Sequence, residues 1–202
     1  MLSNYRPPSG WNLASLTRDV APFLAAALPV LKAHARIEHN LEDALLEQYL
    51  EAAFDAAEHY LDRDVVQSER VYLGNMGRGF VYRRGFVRSL KVTDLADVDV
   101  PIDPAWRFEY NHHERTPGLT IDLRCYCRCA CLDFEAFPVQ HKLLLAGGYE
   151  SWARTPADVR QFVIAAASAM YEVREIANYA KVEEAAFLPL HLLASWANPS
   201  YA

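Results

Sequence analysis

The stretch NLEDALLEQYLEAAFDAAEHYLD, Asn40 to Asp62, decides the fold class. Leu45, Leu46, Tyr49, Leu50, Ala53, Ala56, Ala57, Tyr60 and Leu61 recur at steps of three and four, which places them along one side of an α-helix. Asn40 is a suitable N-cap, and Asp43 sits three residues on, where a carboxylate favours the positive end of the helix dipole. The spacing therefore predicts a helix over 40–62. Alanines on its apolar side let a neighbouring helix approach closely. Its other side carries Asp43, Glu47, Glu51, Asp55, Glu58 and Asp62 at steps of three or four, with no Lys or Arg inside the segment.

Working outward from this helix, Leu24 to Ala35 also reads as helical, with Pro29 suited to a restart because proline fits a first helical turn. Met1 to Trp11, broken by Pro7-Pro8-Ser9-Gly10, reads as part of an extended arm spanning 1–20. From Val65 to Gly148 the helical period vanishes, and strands are expected at Arg70–Leu73, Phe80–Arg83, Phe86–Val92, Arg107–Tyr110, Leu119–Leu132 and His141–Ala146. Their connections are too short for crossovers, so the pairing is expected to be mostly antiparallel. Helical pattern returns at Thr155-Pro156-Ala157-Asp158, with Thr155 as N-cap, followed by Val159, Phe162, Val163, Ala166, Met170, Val173, Ala177 and Ala180. A short helix is expected over 189–196. The expected class is α+β: a helical bundle built from N-terminal and C-terminal helices, with an antiparallel β region inserted between them. As one domain, 1–202 divides into the arm, a helical part 21–64, the β region 65–150, a helical part 151–197 and a tail 198–202.

The chain has 202 residues, of which 52% are hydrophobic and 23% charged. That is enough to bury a core without metals or disulfides. A net charge of -6 argues against a protein that coats nucleic acid, because phosphate binding needs a cationic face. The longest apolar run, Val20 to Leu31, is too short to span a bilayer and is interrupted by Pro22 and Pro29, so no membrane association is expected. A long lead-in carrying Asp19, with only Arg6 and Arg18 for positive charge, does not suit a signal peptide; synthesis in the cytoplasm is the expectation.

All four cysteines alternate in one octapeptide, at Cys125, Cys127, Cys129 and Cys131. On a strand they share one face about 7 Å apart, too far for disulfides and too straight for a tetrahedral thiolate site. A packed apolar strip is the simpler reading, although a cytosolic metal-thiolate protein using these four residues, with His112 and His113 as supplementary ligands, is the alternative. Gly74 to Gly79 is a hairpin tip without the helix or Gly-Lys-Ser of a phosphate loop. There is no nucleophile elbow, zinc helix or dinucleotide fingerprint, and adjacent histidines on a strand point to opposite faces. No catalytic residue, cofactor or metal site is assigned. An enzyme with a spatially assembled site would instead show a deep pocket lined by titrating residues.

Charge is segregated along the chain. Against the acidic row stand Arg70, Arg78, Arg83, Arg84, Arg88 and Lys91, with no Asp or Glu between Arg70 and Lys91. Two solvated faces would explain this. So would a head-to-tail contact in which Glu47, Glu51, Asp55 and Glu58 of one copy meet Arg83, Arg84 and Arg88 of the next, closing into a ring where the rotation allows.

Leu31 to Leu46, with its Lys32, Arg36-Ile37 and Glu42-Asp43, runs into Glu51-Ala52-Ala53 and Ala57-Glu58-His59-Tyr60-Leu61. That order resembles the opening of the tailed-phage head-tail connectors, or head-completion adaptors. Leu145-Ala146-Gly147-Gly148-Tyr149, Thr155 to Val159, Tyr171-Glu172-Val173-Arg174-Glu175 and Leu188 to Trp196 resemble that family's later motifs in the same order. The likeness covers about half the chain; the arm and the cysteine strand lie outside it. It implies a non-enzymatic virion protein that forms a homo-oligomeric ring, most often of twelve copies, on the portal protein at the head-tail interface. The ring joins the DNA-filled head to a neck or tail-completion protein, and DNA passes through its channel without specific binding. Relatives engage the portal through the C-terminal segment. Here that segment presents Leu188, Leu192, Leu193, Trp196 and Tyr201, large apolar and aromatic residues of the kind that anchor interfaces.

Overall fold

The computed structural model describes residues 11–74, 80–82, 84, 87–100, 107–111, 118–122, 140–173 and 189–194. The chain divides into two compact units: a β unit of Met1–Arg18 and Ser68–Gly148, and a helical unit of Asp19–Gln67 and Tyr149–Ala202.

The β unit holds a four-stranded antiparallel sheet ordered β1-β2-β7-β4, with β1 Trp11–Arg18, β2 Ser68–Gly74, β4 Val87–Thr93 and β7 His141–Gly147. A second antiparallel sheet is ordered β3-β6-β5, with β3 Phe80–Tyr82, β5 Arg107–Asn111 and β6 Gly118–Asp122. Period two is explicit in β2, which buries Ser68, Arg70, Tyr72 and Gly74 and leaves the alternate residues more open. Tyr72 pairs with Leu143 and Leu143 with Val92, so the register lays a row of buried side chains across the sheet. Phe80 packs edge-on against Trp11 at 5.4 Å and Tyr72 at 4.9 Å, joining β3 to the inner face of the larger sheet.

The extended-arm expectation needs correction at 11–18. Trp11 is buried in this core, and β1 is the edge strand of the sheet, with a register shift between Leu13 and Ser15. A stretch with little alternation carries a weak strand signal by itself; the partner β2 supplies what local pattern lacks. Residues 123–132, expected to continue β6, and all four cysteines lie outside the described residues.

The helical unit contains α1 Ala21–Ala35, α2 Asp43–Leu61 and α3 Ala157–Val173, with short 3-10 turns at Trp152–Arg154 and Leu190–Leu192. α1 begins three residues before the expected start, with Pro22 in the first turn, where no N–H is needed. It runs through Pro29 without restarting. α2 begins at Asp43 rather than Asn40, because Asn40 Oδ1 accepts a hydrogen bond from Lys32 Nζ at 2.5 Å instead of capping the helix. The Thr155 hydroxyl donates to the Ser151 carbonyl at 3.2 Å, closing the 3-10 turn that leads into α3. The core is built from Phe23, Ala27 and Leu31 of α1, Leu46, Leu50, Ala53, Phe54, Ala57 and Leu61 of α2, and Val159, Phe162, Val163, Ala166 and Ala167 of α3. Two αL residues end the first two helices, Arg36 (φ 57°) and Asp62 (φ 48°), each returning its N–H to the preceding turn.

Two substitutions test this packing. Trp11→Ala should cost about 3–5 kcal/mol of β-unit stability, read as a shifted urea midpoint; an unchanged midpoint would mean that β1 is dispensable to the sheet. Ala53→Leu should overpack the helical core by about 1–3 kcal/mol, measured in the same way.

Candidate interface of the acidic helix

The acidic row of α2 is not uniform once folded. Asp43 accepts a salt bridge from Lys32 Nζ at 2.7 Å, partly sheltered, which ties the start of α2 to α1. Glu42, just ahead of the helix, accepts the Tyr171 hydroxyl at 2.6 Å and so connects α2 with α3. Glu58 turns inward: one carboxylate oxygen accepts the backbone N–H groups of Val65 and Val66, both at 2.8 Å. Val65 and Val66 are buried, so this carboxylate satisfies two donors that water cannot reach. Of the four row members expected at a subunit boundary, Glu51 and Asp55 are exposed and Glu47 is half-buried, whereas Glu58 is committed to its own chain.

The basic side changes more. Arg84 is 4% exposed and Arg70 6%, both inside the β unit, so neither offers its guanidinium outward. Arg70 falls on the inward phase of β2, between Ser68 and Tyr72, a fact visible only when the register is known. Lys91 pairs with Asp99 at 2.7 Å on the surface. Arg88 is exposed on β4, and Arg78 and Arg83 lie outside the described residues.

Near the carboxyl end of α2 lies a buried charged pair of positions that the sequence pattern did not single out, Arg63 and Asp64. Burial pulls the Arg63 guanidinium below its ordinary pKa, with Tyr149 acting in the opposite sense. Arginine stays protonated even so, and Arg63 remains a cation.

The C-terminal apolar set is split. Leu193 is fully buried and Leu192 half-buried, both in the helical core, which corrects their expected role as residues offered to a partner. They close the core because α3 leaves an apolar face that the 3-10 turn at Leu190–Leu192 covers. Leu188, Trp196 and Tyr201 lie outside the described residues, as do His112 and His113. Among the described residues, no three His, Cys, Asp or Glu side chains gather where they could hold a metal, and no helix is long and apolar enough to cross a membrane.

Glu58 yields a prediction. Glu58→Ala should destabilise the helical unit by about 1–3 kcal/mol for each orphaned N–H, while Glu58→Gln, which keeps an acceptor oxygen, should cost less. Equal thermal losses in the two variants would show that the carboxylate's hydrogen bonds do not matter.

Residues 26–77, about a quarter of the chain, match the family model described as phage gp6-like head-tail connector protein. The match spans most of α1, all of α2 and β2, the segment whose residues carry the connector resemblance. None of the curated proteins matches significantly. The chain shares its fold with a chain from the neck of an empty GTA particle computed with C6 symmetry, at TM-score 0.60 and 20% identity, covering 91% of this chain and 95% of that one. The neck of a native GTA particle computed with C12 symmetry gives TM-score 0.56 at the same identity and coverage. A chain from the virion of a native gene transfer agent particle gives 0.55 at 20% identity, covering 93% and 95%.

Proposed function

We propose that this chain is a structural, non-enzymatic virion protein, a head-tail connector that forms a ring on the portal vertex and joins the DNA-filled head to the neck or tail. The observation that carries the reading is the coincidence of two likenesses. The connector family model falls on the α1–α2–β2 segment, and a neck-particle fold extends over nine-tenths of the chain. A ring of twelve copies fits the C12 symmetry of one neighbour. An acidic protein suits a DNA conduit, because a channel that bound phosphates tightly would hold the molecule it must release. Electron microscopy of the full chain, alone and mixed with its portal protein, tests the reading: rings are the expected result, and particles that stay monomeric with the portal present would refute it.

In this reading the exposed Glu51 and Asp55 of the acidic row, with half-buried Glu47 beside them, face cationic side chains of the next copy, Arg88 among them. Glu51→Lys should weaken assembly by about 1 kcal/mol per reversed close pair while leaving the monomer's melting temperature unchanged. Raising salt should weaken the native ring, because exposed pairs are screened. Light scattering beside thermal melts separates loss of assembly from loss of folding.

Portal docking falls to the segment beyond Leu193, with Trp196 and Tyr201 as its large anchors. Deleting Trp196 to Ala202 should spare the fold, since Leu193 already closes the core, yet abolish co-sedimentation with the portal. A truncated chain that binds with unchanged affinity would rule this docking mode out.

A further inference from the structure

The four-stranded sheet ends in two edges of unlike design. Among the described residues β1 pairs only with β2, and it carries no Asp, Glu, Lys, Arg or Pro from Trp11 to Thr17. Natural sheets blunt an exposed edge with charge, proline, a bulge or a covering segment, because an open edge presents main-chain N–H and C=O groups to any extended chain. At the far edge β4 is covered at one end: Thr93 bridges Asp99, and the Val100 N–H donates to the Val92 carbonyl. Each edge strand has one bulge, between Leu13 and Ser15 in β1 and between Val87 and Ser89 in β4. Among the described residues, the regular and uncovered stretches are then 15–17 and 89–91, with Leu16 and Leu90 at their centres.

Register shows that these two edges suit each other in separate copies. Leu16 pairs with Arg70, Arg70 with Leu145 and Leu145 with Leu90, so one rung crosses all four strands. Its centre is closed, with Arg70 6% and Leu145 2% exposed, whereas its two ends are leucines left partly open, Leu16 at 36% and Leu90 half-buried. Leu13 at one edge and Val87 at the other are also only partly buried against the same core. The apolar layer therefore runs out at both edges on side chains that a further strand would cover. Strand direction agrees. All three pairings are antiparallel, so β1 and β4 run in opposite senses. A second copy set alongside by a small ring rotation brings its β1 antiparallel to β4, and the alternation continues across the boundary. Two β1 strands pairing with each other would instead close a dimer and leave Leu90 uncovered.

We propose that β1 of one copy pairs antiparallel with β4 of the next, setting Leu16 beside Leu90 and extending the sheet across each boundary, an interface that rests on the ring reading above. Hydrogen-deuterium exchange on the full chain, comparing assembled rings with free copies, reads the main-chain pairing directly. Amide protection should rise about tenfold or more in peptides covering 14–18 and 87–91. Leu16→Glu should weaken assembly about tenfold, and adding Leu90→Lys should restore much of it through a cross-strand ion pair. Gln161→Glu, an exposed change on α3, should leave assembly unaltered. Thermal melts confirm that the variants fold; should Leu16→Glu melt early, exchange in the wild-type ring decides alone. Rings in which neither strand gains protection overturn this inference and spare the ring reading. Protection confined to β1, or loss of rings that Leu90→Lys does not reverse, overturns β4 as the partner. A wild-type chain that never forms rings, alone or with its portal, removes the ring reading and this interface together.

Discussion

The helical unit depends on Phe54. Its ring stands edge-on between Phe23 at 5.9 Å and Trp152 at 5.8 Å, so one α2 side chain joins α1 to the 3-10 turn that introduces α3. These residues are far apart in sequence, and the trio forms only when both ends of the chain have come together. Edge-to-face pairs add roughly 0.5–1.5 kcal/mol each beyond the area they bury. Around this point the alanines of α2, Ala53 and Ala57, and those of α3, Ala166 and Ala167, leave room for the helices to approach closely. The polar links of Lys32 with Asp43 and Tyr171 with Glu42 then fix how α1 and α3 meet the start of α2. Packing brings these elements together, and the charges orient them.

Much of this was legible before any coordinates. The 3.6-residue period identified α2 and α3, and the loss of that period marked the β region, with expected strands at 70–73, 80–83, 86–92, 107–110 and 141–146 lying within two residues of those observed. What was not legible depended on tertiary partners. β1 has almost no alternation of its own and exists because β2 pairs with it. Asn40 is a good cap by type, but it found a competing partner in Lys32, and the helix begins three residues later. At the candidate interface, composition located the acidic row correctly yet could not show that Glu58 turns inward. Nor could it show that Arg70 is buried, because a one-residue change of strand phase reverses which side of a sheet a residue faces, or that Arg84, beyond β3, is buried as well.

That division has a physical origin. A helix heptad exposes about half its residues whatever its neighbours do, so charges on α2 stay outward unless a nearby donor draws one in, as Val65 and Val66 draw in Glu58. A strand has no default outside. Arginine is especially hard to place from sequence, since its long apolar stem packs well inside a sheet while its guanidinium is satisfied by several acceptors. Counting charges therefore predicted the acidic surface better than the basic one.

The same reasoning bears on how a ring of such subunits could be both orderly and late to form. A single exposed charge contact is worth little in physiological salt, so two copies meeting through such contacts alone would associate weakly. Closure changes the balance: the last copy makes two contacts for one loss of freedom, and every boundary repeats the same complementarity. A portal that holds the copies near one another would raise their effective concentration in the same way. In the proposed ring, weak identical boundaries would keep free copies apart and still yield a stable closed assembly once a template gathers them, provided the faces that meet are unlike and cannot pair as closed dimers.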